Sequence, residues 1–361
     1  MKLLPLLFFA GLALGLLSGC AAYAQRRAAS RHPMLAPYQT EKFRLSAGPA
    51  TADNYPVTID RGRFINSGGT GFPVPYGHFL ESSWEGSGIG WAVGDDFQAV
   101  PDSLEIRWFS YTEDKFYEGH FLLPQEKIYA LLKQGFWEPK SKRALTYDGF
   151  TVCVLPTGGV VVWLEGHGLR KVVVGRYQAQ EIQYDYARHR PNVDRAADVA
   201  ETRAELPAAV QAEIKAGTLS TKKWDAYLKR YPWKLEFSQP LTLFDHGISF
   251  RSAENASTPL TADLAAFAQE VLAPSPKPVP KSCMLYLAGA YGRKRLLKIK
   301  PFDEAETMHA FQTLAAKHPD QVITLHVEID EELKKATLSL RAGGQVLPLT
   351  KSVLQFFDLR Q

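Results

Sequence analysis

An α+β fold of two lobes is what this sequence predicts, each lobe an antiparallel sheet with a packed helix, with a helical insert between them. Three observations lead there. Runs of alternating β-branched and aromatic residues, bounded by Gly, Pro, Asp and Thr, fill residues 55–190 as half-buried strands require. A second strand-rich stretch follows residue 280. Two segments, SLEIRWFSYTEDKFYEGHFLLPQEKIYALLKQG and SCMLYLAGAYGRKRLLKIKPFDEAETMHAFQTL, share one order of strand, charged turn, strand and helix, each followed by two more strands. That order is read as an internal duplication of a ββαββ unit, with chance similarity of element order as the alternative; it implies antiparallel sheets with a helix on one face.

The elements follow in order. Strands are expected at YPVTIDRGRFI, SGIGWAV, SLEIRWFSY, KFYEGHFLL, FTVCVLP, GVVVWLEG and RKVVVGRYQA. TVCVLPTGGVVVWLEG reads as a hairpin turning at Thr157-Gly158-Gly159. PQEKIYALLKQG is a helix, with Pro124 near its start, Ile128, Leu131 and Leu132 at helical spacing, and Gly135 as its stop. The insert carries helices at ELPAAVQAEIKAG, ending on Gly217, and STKKWDAYLKRY, capped by Ser220 or Thr221. YPWKLEF returns to strand, and PSPKPVP, residues 274–280, reads as a stiff proline-rich connector. Beyond it come strands CMLYLAGAY and RLLKIKPF, the helix DEAETMHAFQTLAAK, and strands QVITLHVEID and KATLSLRAG. These readings divide the chain into a first lobe at 51–203, an insert at 204–234 and a second lobe at 235–361.

The N-terminus carries a different message. After Met1 and Lys2 an apolar block runs from Leu3 to Leu17, matching a secretory signal and too short to span a bilayer comfortably. It closes on Leu17, Ser18, Gly19 and Cys20, the lipobox pattern of bacterial lipoproteins. Residues 1–19 are therefore expected to be a signal peptide and Cys20 the lipidated residue, since small residues precede the cut and the thiol after it can take a diacylglycerol group. The acyl chains would hold the protein on its membrane. Ala21, in place of Asp, points to the outer membrane and a periplasm-facing chain. Residues 20–50, rich in Ala, Ser, Arg and Pro, read as a flexible tether reaching roughly 30 Å. Arg26, Arg27 and Arg31 in it could touch anionic headgroups or simply solubilise the tether.

Composition narrows the function classes. With 45% hydrophobic and 12% aromatic residues in 361, the chain is globular. A formal charge of +4, spread over 42 basic and 38 acidic residues, gives no concentrated basic patch for nucleic acid. Apart from Cys20, Cys153 and Cys283 are candidates for a disulfide in an oxidising compartment, with buried free thiols as the alternative. No cofactor or metal site is expected: Glu165 and His167 alternate in WLEGHG, but His78, His120, His246, His309 and His326 are scattered without ligand spacing. GSGIGW leads into a strand instead of a phosphate-binding helix. Ser220 and Lys223 have S-x-x-K spacing but lack the partner motifs of penicillin-binding enzymes. The remaining candidates are aromatic. Trp84, Trp91, Trp108, Tyr111 and Trp224 form the candidate binding surface, Glu81/Glu85 and Glu113/Asp114 a polar rim, with burial in the sheet core as the competing reading.

IRWFSYTEDKFYEGHFLLP, LPTGGVVVWLEG and ELPAAVQAEIKAGTLSTKKWDAYLKRYPWKLEF together resemble a family of proteobacterial lipoproteins catalogued as domain of unknown function 2931, over about residues 50–350. The resemblance implies a secreted, lipid-anchored protein with no assigned active site, and no residue role beyond Cys20. Some lipoproteins of this general kind lie near contact-dependent secretion and lipase-effector genes, which would imply an immunity role. The expectation is a non-enzymatic, membrane-anchored module that binds a protein partner. An envelope structural or assembly factor, and an enzyme with an unrecognised site, are the alternatives.

Overall fold

The computed structural model describes residues 35–86, 88–91, 97–289 and 292–359. The expected signal peptide, Cys20 and the arginines near it lie outside the described residues, as do Ser87, Ala92 and Val93 of the expected strand SGIGWAV, whose described residues 88–91 form no strand. The eight described helices are α1 (Pro37–Thr40), α2 (Gln125–Gln134), α3 (Tyr186–His189), α4 (Arg195–Ala204), α5 (Ala208–Ala216), α6 (Lys222–Leu228), α7 (Leu264–Leu272) and α8 (Glu304–Lys317). No described helix is long and apolar enough to cross a membrane.

Three larger sheets organise the α+β fold. Both halves contain a four-stranded antiparallel meander. In the first, Val57–Asn66, Pro101–Ser110, Lys115–Leu122 and Gln180–Ile182 lie side by side. In the second, Thr242–Phe250, Pro280–Ala288, Lys294–Ile299 and Leu354–Asp358 do the same. Even the bulges correspond, one at Asp60 and one at Phe244, where a residue of the first meander strand falls between paired neighbours.

The halves also share a second scheme. Ser46–Thr51 runs parallel to Gly149–Val154, which pairs antiparallel with Gly159–Gly166 and then Arg170–Gln178. Tyr231–Phe237 runs parallel to Ile323–Ile329, followed by Ala336–Ala342 and Gln345–Pro348. Each half therefore holds two sheets, not the one expected, and each includes a parallel pair. The helix after the third meander strand is α2 in one half and α8 in the other.

The lobes are not separate. Gly149–Val154, Gly159–Gly166 and Arg170–Gln178 join through the short strand Asn255–Ala256 to the second meander, giving one nine-stranded sheet. This sheet is a wall between two cores. Val152, Val154, Val160 and Val162 face the first core with Ile59, Phe64, Trp108, Ile128 and Leu132. Cys153, Val161 and Trp163 face the second, with Trp233, Leu285, Leu297, Phe311 and Leu325. A strand buried on both faces has no polar alternation, which explains the unbroken run VVVWL. The hairpin turns at Pro156–Gly158 with Thr157 at φ 56° and Gly158 at φ 81°.

Three boundaries differ from those read in the sequence. Residues 37–50 are not tether: α1 and the strands Lys42–Arg44 and Ser46–Thr51 are folded, with Leu45, Ala47 and Ala50 buried. The helical segment begins at Tyr186, not 204, because Asp185 and Asp194 cap α3 and α4 through their side chains. PSPKPVP is no free connector: Ser275–Lys277 pairs with Tyr231–Trp233 as an edge strand, where proline is tolerated.

Candidate protein-interaction face

Corresponding positions on the outer faces of the two meanders carry opposite chemistry. In the first half the outer face is ionic. Arg107 donates from Nη2 to Glu118 Oε1 at 2.6 Å and lies 3.4 Å from Asp60 Oδ2; Arg61 stands 3.6 Å from Glu118, and His120 3.5 Å from Glu105. Burial opposes the Arg107 charge, yet Glu118 and Asp60 hold its guanidinium above the usual range. The other end of this face, Phe109 and Phe116, is covered by Tyr186 of α3 and Val199 of α4. Arg195 of α4 secures the cover with a 2.6 Å bond from Nε to Asp114 Oδ1.

In the second half the matching positions are apolar. Counting from the equivalent bulges, Tyr286 stands where Arg107 does, Met284 for Glu105, Leu296 for Glu118 and Phe357 for Gln180. Tyr286, Leu296 and Phe357 lie directly across from one another on three strands, and Met284 follows two residues before Tyr286 on the same face. Met284 is 40% and Phe357 43% exposed. Phe244, at the bulge, packs 6.1 Å from the Tyr286 ring, and the Lys294 ammonium sits 5.5 Å over Phe244. Lys298 pairs across from Met284, and Lys294 lies two residues before Leu296 on the same face. The result is an apolar strip with a mainly basic rim, a composition suited to contact with another protein.

The aromatic residues singled out from sequence are mostly elsewhere. Trp108 and Tyr111 are fully buried, and Trp84 and Trp224 nearly so. Trp84 donates from its indole to the Arg251 carbonyl at 2.8 Å and meets Trp163 edge-on at 4.8 Å, tying the halves together. Only Trp91 keeps partial exposure, beside Tyr76 at 4.8 Å. Four of the five candidates are thus core residues, corrected by the second layer that covers each sheet. The apolar strip escaped notice because CMLYLAG is apolar at every position, so alternation could not mark which side faces out.

Cys153 and Cys283 are both free and buried. Five strand spacings of about 4.8 Å separate their strands along the nine-stranded sheet. A disulfide needs Cα atoms about 4.4–6.8 Å apart. Burial pushes both thiols up.

A cleft of about 620 Å³ lies where α3 and α4 meet the first meander, lined by Asp60, Tyr76, Phe79, Tyr111, His189, Arg190 and Asp198 among others. His189 Nδ1 lies 3.0 Å from Asp60 Oδ1, and its buried Nε2 has no hydrogen-bond partner among the described residues. The ring is packed among Phe109, Phe116 and Tyr186, so this pair orients a helix against a sheet. Among the described residues no group of three His, Cys, Asp or Glu is placed to hold a metal. Glu165 bonds Thr151, His167 pairs with Asp148 at 3.2 Å, and Lys223 lies 3.7 Å from Glu304, so these motif residues have local partners.

The model of the family described as protein of unknown function (DUF2931) matches residues 29–221, more than half of the chain. The chain belongs to the DUF2931 family. No curated protein and no solved structure matches it. The DUF2931 match covers the first meander, the dividing wall and most of the helical segment, and it stops short of the extent read from sequence. The exposed strip of the second meander lies beyond the DUF2931 segment.

Proposed function

We propose that this DUF2931 protein is an envelope lipoprotein that acts by binding another protein. Cys20 carries the lipid, and the chain faces the periplasm from the outer membrane. The observation that carries the binding role is the apolar strip of exposed Met284 and Phe357 with half-buried Tyr286 and Leu296 between them, placed where the first half has an ion-pair network. Its partner is a protein presenting an apolar patch flanked by carboxylates, which Lys294 and Lys298 would meet. In its sharper form the role is immunity, with the partner a periplasm-acting toxin such as a lipase; the binding face needs no catalysis. The matching strand orders support a duplicated ββαββ ancestry, with one copy freed to form the interface.

The decisive experiment challenges a deletion strain with kin that deliver a periplasm-acting toxin, and restores either the wild-type gene or Met284→Asp/Phe357→Asp. Wild type should protect and the double variant should not, at equal protein level. A deletion strain that survives as well as its parent overturns the immunity reading. Recovery of envelope-assembly components by the wild-type strip, with no toxin among them, would favour the assembly role. Cys20→Ala should release the protein from washed membranes, and retention there would overturn the anchor.

A further inference from the structure

A second cavity, of about 360 Å³, lies at the junction of the halves. Its walls come from Arg170–Gln178, Thr242–Phe250, Asn255–Ala256, α7 and the edge strand Ser275–Lys277. Its size falls within the range of small-molecule sites, about 300–1,000 Å³. One side is apolar, formed by Ile248, Phe250, Leu260 and Val271. The other is charged, and its charges do not balance.

Arg230 donates to both Glu254 oxygens at 2.6 and 2.7 Å, and Arg170 pairs with Glu270 at 3.2 Å. Lys171 stands 3.2 Å from Glu165. Lys277 has no carboxylate within ion-pair distance among the described residues. Its ammonium donates to Ser275 Oγ at 2.7 Å and the Ala273 carbonyl at 3.2 Å, and lies 4.9 Å from the Trp233 ring. Lys277 is only 9% exposed and Arg170 8%, and Arg170 Nε has no hydrogen-bond partner among the described residues. A buried ammonium without a counter-ion is costly, and it favours an anion brought from outside. Burial accordingly pushes Lys277 down to about 8, and the charge of Glu270, beyond ion-pair distance, opposes the shift only in part. One unpaired ammonium and one free guanidinium N–H match a monoanionic carboxylate, and the apolar wall matches a hydrocarbon chain.

We propose that this cavity binds a medium-chain carboxylate, its head on Lys277 and Arg170 and its chain against Ile248, Phe250, Leu260 and Val271. The site is independent of the exposed strip and needs no covalent step.

The test is calorimetric titration of the mature chain, residues 20–361 with Cys20→Ala so that no acyl anchor competes. Decanoate below its micellar concentration should bind saturably at one site. Decanol and decylammonium should bind at least about tenfold more weakly. Lys277→Met should weaken decanoate by about tenfold or more and remove its preference over decanol, whereas Lys277→Arg should retain both. Near-ultraviolet circular dichroism checks that Lys277→Met is folded; should it not be, Leu260→Trp, which fills the apolar end, should abolish decanoate binding in its place. Absence of saturable decanoate binding, equal affinity for decanol, or undiminished binding by a folded Lys277→Met or Leu260→Trp chain overturns the proposal.

Discussion

Acid should weaken this protein through one histidine. His246 is 2% exposed, stacked on Phe267 at 3.9 Å between ring centroids, with Nε2 2.9 Å from the Phe267 carbonyl. That geometry places a proton on Nε2 and leaves the ring neutral. Burial pushes its pKa down from 6.5 to about 4; the Phe267 carbonyl opposes the shift, and Arg170 adds to it. The folded-state value is depressed, so the unfolded chain binds more protons between the two values. Stability from the neutral ring is therefore full above about pH 6.5 and is lost as pH falls toward about 4. Going from pH 7 to 5 should remove about 2 kcal/mol through this group. The assay is urea unfolding across that range for wild type and His246→Gln, whose amide can still donate to Phe267. Carboxylate titration is common to both chains and cancels in the difference, so the gap between them should close by about 2 kcal/mol on acidification. Parallel profiles from pH 7 to 5 would falsify the reasoning.

Three further outcomes follow from the packing. Trp84→Phe deprives the Arg251 carbonyl of its 2.8 Å donor within the inter-half contact and should cost about 1–3 kcal/mol in urea unfolding; an unchanged midpoint would mean that water replaces the indole. Cys153 and Cys283 should react with a thiol reagent only after denaturation, and a reagent that consumes either quickly in the native protein contradicts their burial. Met284→Lys and Phe357→Lys should each change stability by no more than about 0.5 kcal/mol, because both side chains are exposed; a large loss would show that the strip is structural.

Much of the fold was legible locally. The hairpin through Pro156–Gly158 was, because turn residues interrupt two β-branched runs. Helices α2, α5, α6 and α8 were, because apolar spacing and end residues lie within a few positions of each other. Helices α4 and α7 were missed, although Asp194 and Asp263 cap them and could have signalled both starts. The apolar strip and the central cavity were not legible. Met284 and Leu285 look equally buried in a list of residues, and Lys277 sits in a proline-rich stretch that reads as linker.

By itself the sequence determined short-range matters: strand and helix spans, the hairpin and membership of a family. Those depend on neighbours in the chain, whose spacing is set by the backbone. Only tertiary structure decided which face of each strand is inside. Arg107 and Tyr286 occupy corresponding positions in the two meanders, yet one is locked among carboxylates and the other lies half-buried in an apolar strip. The same long-range pairing keeps Cys153 and Cys283 apart, buries four of five candidate aromatics, and leaves Lys277 without a carboxylate in ion-pair distance among the described residues. Burial is a property of what packs across a sheet from distant segments, and no pattern confined to a few residues carries it.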